Sequence, residues 1–192
     1  MDYSRADKCK EIILEMFEQR GYKNIKIVNE NCDDKKTKIT ATKQDDKIVY
    51  AFTKIVEKLN IDEINSFIKF MNDNNNDHII IIYEDKPTPA VKNITKVMDL
   101  KLNIELFHAD DLQYNATKHK LVPKHIKLSS EEALKFKKTY GIKIPYILRN
   151  IDPISKFYDF KKGDVIKIIR NDNTIHYRLV VWIIFIKKRY IN

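Results

Sequence analysis

The sequence predicts two domains: an α/β domain over residues 1–117 and a smaller α+β domain over residues 118–180, with an additional tail over residues 181–192. The first observation behind this division is the continuous apolar run at residues 78–83, which is typical of a strand covered on both faces. The second is the order strand, helix, strand from residue 78 onward, which predicts a right-handed βαβ unit. The third is the change after residue 117 to short capped helices and a hairpin.

The N-terminal part begins with an amphipathic helix. Ser4 is a suitable N-cap, and Gly21 stands where a left-handed residue can end the helix. Apolar residues at helical spacing predict its buried face: Cys9, Ile12, Ile13, Met16 and Phe17. Short strands are then expected at residues 25–28, 38–42 and 48–52, with the last two joined as a hairpin by a turn at residues 44–47.

A second and a third helix flank the apolar strand. Asn60 and Glu63 resemble a capping box. The helix that they open presents Ile61, Ile64, Phe67, Ile68 and Met71, and a polar loop follows at residues 72–77. After the strand, a helix beginning near Pro89 turns inward the side chains of Val91, Ile94 and Met98, and residues 104–107 form the next strand.

The C-terminal part has its own start and stop signals. Pro123 keeps the residues before it extended, and Ser129 with Glu132 forms a capping box. That helix runs to Tyr140 and is ended by Gly141. Asp152 and Pro153 then predict a short helix, as N-cap and first helical residue; it carries Ile154, Phe157 and Tyr158.

A hairpin closes the C-terminal part. Gly163 is expected to open its first strand, residues 165–169 are mostly β-branched, and residues 171–174 supply the turn. The second strand runs through Ile175, Tyr177 and Leu179 and continues into further apolar residues. This surplus of apolar surface, together with Arg170 and Arg178, raises the question of what covers the hairpin.

Charge is unevenly distributed along the chain, whose net charge is +9. Residues 118–192 hold 18 Lys and Arg against 6 Asp and Glu, whereas residues 1–117 hold 18 against 21. A basic segment indicates a polyanionic partner, either nucleic acid or an acidic protein surface; the alternative is general solubility in a lysine-rich chain. Two cysteines form no disulfide framework, which favours a reducing, intracellular setting, and no apolar run approaches the roughly 20 residues of a membrane span.

Catalytic and cofactor motifs are sparse. Three glycines leave no phosphate-binding loop and no dinucleotide fingerprint, and the five histidines include no zinc-protease pair. His119 and His125 alone would be a weak ligand pair, so neither a metal site nor a cofactor is predicted. A metal-dependent nuclease stays open as a minor alternative, because Asp45, Asp46 and Lys47 lie together, although in an expected turn.

One stretch could bind an anion. Thr88 can cap, and Pro89 can begin, a helix whose free N–H groups follow directly after the buried strand. Lys86 and Lys92 flank that helix start, so it could meet a DNA phosphate. The alternative is that the Thr-Pro pair is simply a good helix start.

Several segments resemble one family. "KLVPKHIKLSSEEA" (120–133), "DPISKFYDFKKGDVIKIIR" (152–170) and "YRLV" (177–180) are similar to the fifth subunit shared by eukaryotic nuclear RNA polymerases, whose C-terminal domain matches a small archaeal RNA polymerase subunit. Weaker matches, including "FEQRGY" (17–22) and "PTPAVKN" (87–93), extend the similarity toward the N-terminus. The order and spacing of the segments hold from about residue 3 to residue 180, and a viral homologue is one possible source.

The resemblance implies a non-catalytic role. It implies an N-terminal jaw domain with a restriction-endonuclease-like fold and no active site, lying beside downstream double-stranded DNA. Its DNA-facing loop would be Lys86, Thr88, Pro89, Ala90 and Lys92. The C-terminal domain would bind the largest polymerase subunit and help assemble the enzyme with the other subunits. The residues that the resemblance places at that interface are Pro123, His125, Asp152, Pro153, Tyr158, Gly163, Arg170, Tyr177 and Arg178. The alternative is that about half of them shape the fold rather than contact a partner, with Tyr177 an ordinary core residue. Trp182, in the apolar tail and outside the resemblance, is expected at the interface with a neighbouring subunit.

The sequence departs from the family at the hairpin and at its end. The turn "NDNT" (171–174) is shorter than the family's, the family's Thr-Pro-Ser-Ala is here Thr88-Pro89-Ala90-Val91, and residues 181–192 have no counterpart in the family. We expect the apolar tail to add to a strand or groove on a neighbouring subunit.

The runner-up function is a free-standing DNA-binding protein that uses the basic C-terminal half. The location would be the nucleus for a cellular protein, and the virion or a cytoplasmic replication site for a viral one.

Overall fold

The computed structural model describes residues 4–28, 38–98, 101–149 and 151–181, and the chain divides into two compact units, Met1–Tyr114 and Asn115–Asn192. None of the helices in these described ranges is long and apolar enough to cross a membrane.

The first unit is a five-stranded mixed sheet with helices. Its elements are α1 (Arg5–Gln19), β1 (Lys23–Val28), β2 (Lys38–Thr42), β3 (Ile48–Val56), α2 (Ile61–Asp73), β4 (His78–Tyr83), α3 (Pro89–Met98) and β5 (Asn103–His108). The strand order is β1-β2-β3-β4-β5, antiparallel from β1 to β3 and parallel from β3 to β5. The chain therefore makes two crossovers, through α2 and α3, of which the sequence predicted only the second.

The predicted first helix is confirmed. Ser4 Oγ accepts a hydrogen bond from the backbone N–H of Asp7 at 3.2 Å, and Gly21 follows the helix with a φ of +73°. All five residues of the predicted stripe are buried. Because α1 packs against β1, β2 and β3, this stripe meets one face of the sheet.

The core around α2 and the parallel strands largely follows the predicted pattern. Asn60 Oδ1 accepts a hydrogen bond from Glu63 N at 2.8 Å. The cluster contains Phe52, Ile64, Phe67, Met71, Ile79, Ile81 and Val91, with Ile68 and Ile94 packed against it. Ile61 was expected on this face but is 41% exposed; it is the first residue of α2, and the buried residues of the helix begin one turn later at Ile64. The side chain of Met98 lies outside the described ones.

The second unit is a four-stranded sheet with two helices. Its elements are β6 (Lys124–Lys127), α4 (Ser130–Tyr140), β7 (Tyr146–Leu148), α5 (Pro153–Phe157), β8 (Val165–Ile169) and β9 (Ile175–Val181), with short 3-10 turns at Ala116–Lys118 and Gly141–Lys143. The order β6-β8-β9-β7 places the predicted β8–β9 hairpin in the middle. The flanking strands β6 and β7 were not predicted. Gly163 lies two residues before β8, at a φ of +90°, rather than opening the strand.

The predicted local signals of this unit are confirmed. Ser129 and Glu132 form a complete capping box. Asp152 caps α5 through a 2.7 Å hydrogen bond from Ser155 N, with a proline at the start of the helix. The hairpin turn closes with Arg170 N donating to Thr174 O at 3.0 Å.

Candidate functional site: a loop after β4 and one face of the second sheet

The expected DNA-facing loop joins β4 to α3 and is exposed at all five predicted positions: Lys86, Thr88, Pro89, Ala90 and Lys92. Its first residues are fixed to the sheet, because Glu84 N donates to Val56 O at 3.0 Å and Asp85 N donates to Glu57 O at 2.9 Å. Thr88 Oγ1 lies 3.4 Å from Val91 N, which is the expected capping arrangement. The loop is thus a firmly attached helix start on the surface.

Acidic side chains surround this loop. Glu84 and Asp85 directly precede Lys86 in the chain. The guanidinium of Arg5 pairs with both Glu84 and Asp110, so this cation is shared between carboxylates on two segments. The hydrogen bond from Arg5 to Glu84 raises the pKa of Arg5. The three carboxylates therefore balance the charges of Arg5, Lys86 and Lys92, so the local charge gives the loop little net attraction for phosphate.

The acids Asp45 and Asp46, the candidate residues of a metal-dependent nuclease, lie in the turn between β2 and β3. Asp46 has a φ of +61°, and Lys43 N donates to Lys47 O across the turn at 2.8 Å. Lys47 Nζ pairs with Asp77 at 2.6 Å, and this hydrogen bond lowers the pKa of the Asp77 carboxyl. The two acids thus fulfil the conformational role of turn residues.

Several predicted interface residues hold the local backbone of the second unit. Asp152 and Pro153 form the start of α5, as described above. His125 Nδ1 lies 2.8 Å from the carbonyl oxygen of Pro123. Gly163 N donates to Val180 O at 2.9 Å, and the carbonyl of Gly163 accepts from Lys137 Nζ.

The strand register sorts the other predicted residues between the two faces of the sheet. Residues directly opposite one another share a face. His125, Ile168 and His176 form one row across β6, β8 and β9, and Lys127, Ile166 and Arg178 form the next row on the same face. Tyr158 packs against the apolar cluster of that face, which contains Ile166 and Ile168. We call these two rows the basic rows.

Tyr177 and Arg170 lie elsewhere. Tyr177 is opposite Lys167, one residue out of phase with the basic rows, and its ring lies 4.2 Å from that of Phe136 in α4. Arg170 is exposed beside the hairpin turn. The predicted interface residues therefore do not form one patch: His125, Tyr158 and Arg178 share a face, whereas Tyr177 supports the opposite one.

Most apolar side chains of the β8–β9 hairpin are buried by neighbouring segments of the second unit. Val165, Ile166 and Val180 are fully buried and Ile168 is nearly so, because β6 and β7 flank the hairpin and the segment around Phe160 packs on it. Ile175 remains 50% exposed. Trp182, predicted as an interface residue, lies outside the described residues, as does the tail beyond residue 181.

A buried ionic network in the first unit was missed by the sequence reasoning. Arg20 donates two hydrogen bonds of 2.7 Å to the carboxylate of Glu105, whose Oε1 also lies 2.5 Å from His78 Nε2. The side chains of Arg20 and Glu105 are only 2% and 8% exposed. Burial alone would raise the pKa of Glu105, but the charge of Arg20 and the hydrogen bonds from His78 and Arg20 outweigh it and hold that pKa well below its ordinary range.

The available sequence signal was a glutamate among the apolar residues Ile104, Leu106 and Phe107 and a histidine directly before four isoleucines. Three polar groups separated by up to 85 residues in the chain carry no spacing pattern that predicts their contact.

Comparison with known proteins gives a consistent family. The family model described as RNA polymerase Rpb5, C-terminal domain, matches residues 114–180. A Dictyostelium discoideum protein named DNA-directed RNA polymerases I, II, and III subunit rpabc1 is 31% identical over 183 residues, covering 90% of each chain. A protein of Invertebrate iridescent virus 6, named as DNA-directed RNA polymerase subunit 454R, is 33% identical over 193 residues, covering 90% of this chain and 98% of its own.

One solved structure is similar to part of the chain. It is an ATP-dependent Type ISP restriction-modification enzyme, LlaBIII, bound to DNA; the TM-score is 0.43 at 20% identity, over 70% of this chain and 10% of that one. A likeness of this size carries no argument about fold or function.

Proposed function

This chain belongs to the Rpb5 family of DNA-directed RNA polymerase subunits, and on that basis we propose that it is a non-catalytic subunit of a multisubunit DNA-directed RNA polymerase. One observation carries the proposal: two polymerase subunits, one cellular and one viral, are 31% and 33% identical to it, and each alignment spans 90% of this chain. The similarity therefore includes both units rather than one shared domain.

We propose that the C-terminal domain, residues 118–180, anchors the chain to the largest subunit through the basic rows. Arg178 is half-buried at the edge of an apolar cluster and could form bidentate pairs with a partner carboxylate. Tyr158 supplies apolar surface on the same face, and exposed Arg170 could add a contact at the turn. Pro123, Asp152, Pro153 and Gly163 act through the fold that presents these side chains.

For the N-terminal domain, residues 1–117, we propose the role of a jaw beside downstream DNA, with a restriction-endonuclease-like fold and no active site. The exposure of the loop from Lys86 to Lys92 supports a contact there. Because acidic side chains flank this loop, the DNA affinity of the domain alone should be weak and should fall steeply with salt. We place the protein in the nucleus if it is cellular, and in the virion or a cytoplasmic replication site if it is viral.

Affinity purification of the tagged chain from its native source at moderate salt tests the assignment. We expect the two large polymerase subunits in stoichiometric amounts. Arg178→Ala should lower their recovery while the thermal stability of the isolated chain stays within a few degrees, whereas Lys138→Ala, an exposed lysine on α4, should recover them normally. Equal recovery of the polymerase subunits with both variants would mean that the basic rows do not form the contact with the largest subunit.

The alternative is a free-standing DNA-binding protein. The observation favouring it is the charge balance of +12 in residues 118–192. Recovery of DNA without any polymerase subunit would support this function, as would tight, salt-sensitive DNA binding by the full chain that is lost when lysines of its C-terminal half are neutralised.

A further inference from the structure

β1 is an edge strand of the first sheet. Among the described residues it pairs with β2 alone. Five of its six residues are exposed and Ile25 is half-buried; Ile27 and Val28 are 45% and 39% exposed. A strand with one unpaired edge and exposed aliphatic side chains on both faces can receive another extended chain.

An open groove of about 500 Å³ lies beside this edge. The register places Lys23, Lys26 and Val28 opposite Thr42, Thr40 and Lys38, so these six residues share one face. On that face the groove continues to Tyr50 on β3 and to Phe70 and Asn74 on or next to α2. It therefore has a polar floor of strand residues and an aromatic wall.

Among the described residues that line this groove, the charged ones are Lys26 and Lys38, with no aspartate or glutamate. Lys38 is only 6% exposed, and its Nζ lies 4.4 Å from the centre of the Phe70 ring, so the aromatic wall fixes the position of this cation. Lys23 adds a third cation on the same face at the exposed end of β1.

We propose that β1 and this groove form a docking site for an acidic, extended peptide segment of a partner protein, which adds as a strand to the free edge of β1. Its main chain would pair with the strand, and its alternate side chains would place carboxylates beside Lys23 and Lys26, the exposed cations of β1 itself. This site uses none of the residues of the basic rows or of the loop after β4, and it does not depend on the polymerase assignment.

A second copy of this chain fits the edge less well. In antiparallel registers that set position 23 of one β1 opposite position 26 of another, or position 26 opposite position 26, lysines of the two copies would face each other, and like charges across a strand pair are destabilising. The same lysines disfavour pairing with a second copy and favour an acidic segment, so the edge selects an acidic partner over another copy of this chain. The bulge at Asn24, whose φ is +50°, confines regular pairing to Ile25–Val28 and predicts a weak, reversible interaction.

The test uses the full chain, labelled with ¹⁵N, and a short synthetic peptide of alternating glutamate and valine at low salt. We expect the backbone amide signals of residues 25–28 and 38–42 to shift with peptide concentration. The Lys23→Glu and Lys26→Glu double variant should weaken binding about tenfold or more. The matched control, Lys8→Glu with Lys101→Glu, changes the net charge equally at exposed positions of the same unit and should bind normally.

Further measurements distinguish an acidic peptide that pairs with β1 from other ligands of this edge. A peptide N-methylated at alternate residues cannot complete strand pairing, so equal binding by that peptide would reduce the interaction to charge and overturn the proposal. If a DNA oligonucleotide shifts the same amide signals at a lower concentration than the peptide does, the ligand of this edge is nucleic acid and the peptide proposal is wrong. Sedimentation showing a dimer that the Val28→Lys variant abolishes would assign the edge to a second copy, and no shift at millimolar peptide would overturn the proposal outright.

Discussion

The two units of this chain use charge in opposite ways. The first unit buries an arginine, a glutamate and a histidine together beneath its sheet. The second unit, which belongs to the strongly basic half, carries most of its cations at exposed or half-buried positions around a five-residue apolar cluster. The exception is Arg149, whose side chain is 12% exposed and pairs with Asp159 at 3.2 Å. Buried charges must be paired to be tolerated, whereas surface charges cost little and stay available to a partner. The difference indicates that charge in the first unit specifies structure and that charge in the second serves binding.

The largest effect should come from breaking the buried network. Arg20→Met leaves the carboxylate of Glu105 buried without its bidentate partner, and removal of one partner of a buried pair typically costs about 3–5 kcal/mol. Hydrogen exchange followed by mass spectrometry should show faster exchange in residues 4–114 and no change in the second unit.

A matched double variant controls this experiment. Arg20→Met combined with Glu105→Leu removes both charges, so most of the lost stability should return. A single variant that costs less than about 1 kcal/mol would mean that the network contributes little and that the contrast between the units is wrong.

A large but different loss should come from the core of the second unit. Ile166 is fully buried in the apolar cluster, and Ile166→Ala should destabilise that unit by about 2–5 kcal/mol through lost contacts and the resulting cavity. Ile175→Ala, at a position 50% exposed on the same hairpin, should change stability by less than about 0.5 kcal/mol. Equal effects of the two substitutions in urea unfolding would contradict the assignment of the hairpin core.

Acid should weaken the first unit before the second. The pKa of Glu105 is lowered from its ordinary value of 4.5, so its ionised form is favoured by folding. The stability that it contributes is fully present above that ordinary value and is lost as pH falls toward the lower folded pKa. Unfolding curves between about pH 7 and pH 3 should therefore show a decline in the first unit that the Arg20→Met, Glu105→Leu variant reduces.

The smallest effect should come from a helix cap in the second unit. Ser129 Oγ accepts from Glu132 N at 3.3 Å, and Glu132 Oε2 accepts from Ser129 N at 3.0 Å; the latter bond lowers the pKa of Glu132. Ser129→Ala should cost about 1 kcal/mol, and Ser130→Ala, one residue inside α4, should be nearly neutral. A cap variant as damaging as Ile166→Ala would show that local signals, rather than the cluster, hold this unit together.

Much of the fold was predictable because its signals are local. The caps at Ser4, Ser129 and Asp152 and the turn at residues 171–174 depend on hydrogen bonds between residues two to four positions apart, and all were predicted. β6 and β7 were missed because strands of three or four residues have too little pattern to be recognised. β7 has only three residues and is held as a strand by its parallel pairing with β9, in which Tyr146 lies opposite Leu179.

For the predicted site residues, too, the sequence identified the segment, but the strand pairing decided which face each side chain is on. Sequence similarity placed both Tyr177 and Arg178 on the expected interface motifs, with ordinary core packing as the alternative for Tyr177, and neighbouring residues in a strand point to opposite faces. The structure accordingly packs Tyr177 on Phe136 and places Arg178 in the row with Ile166 and Lys127. Only the register decides which of the two is available on the face proposed as an anchor.

The sequence alone determined where helices begin and end, which strand is buried on both faces and which half of the chain is basic, because each follows from local hydrogen bonding, apolar periodicity or composition. It also determined the family, through short segments whose order and spacing are kept. The tertiary structure decided the meeting of Arg20, Glu105 and His78, the rows of side chains across the second sheet and the place of β1 at the edge of the first sheet as far as the described residues form it. These features depend on which strands pair and in which register, and pairing between distant segments is settled only when the whole chain packs.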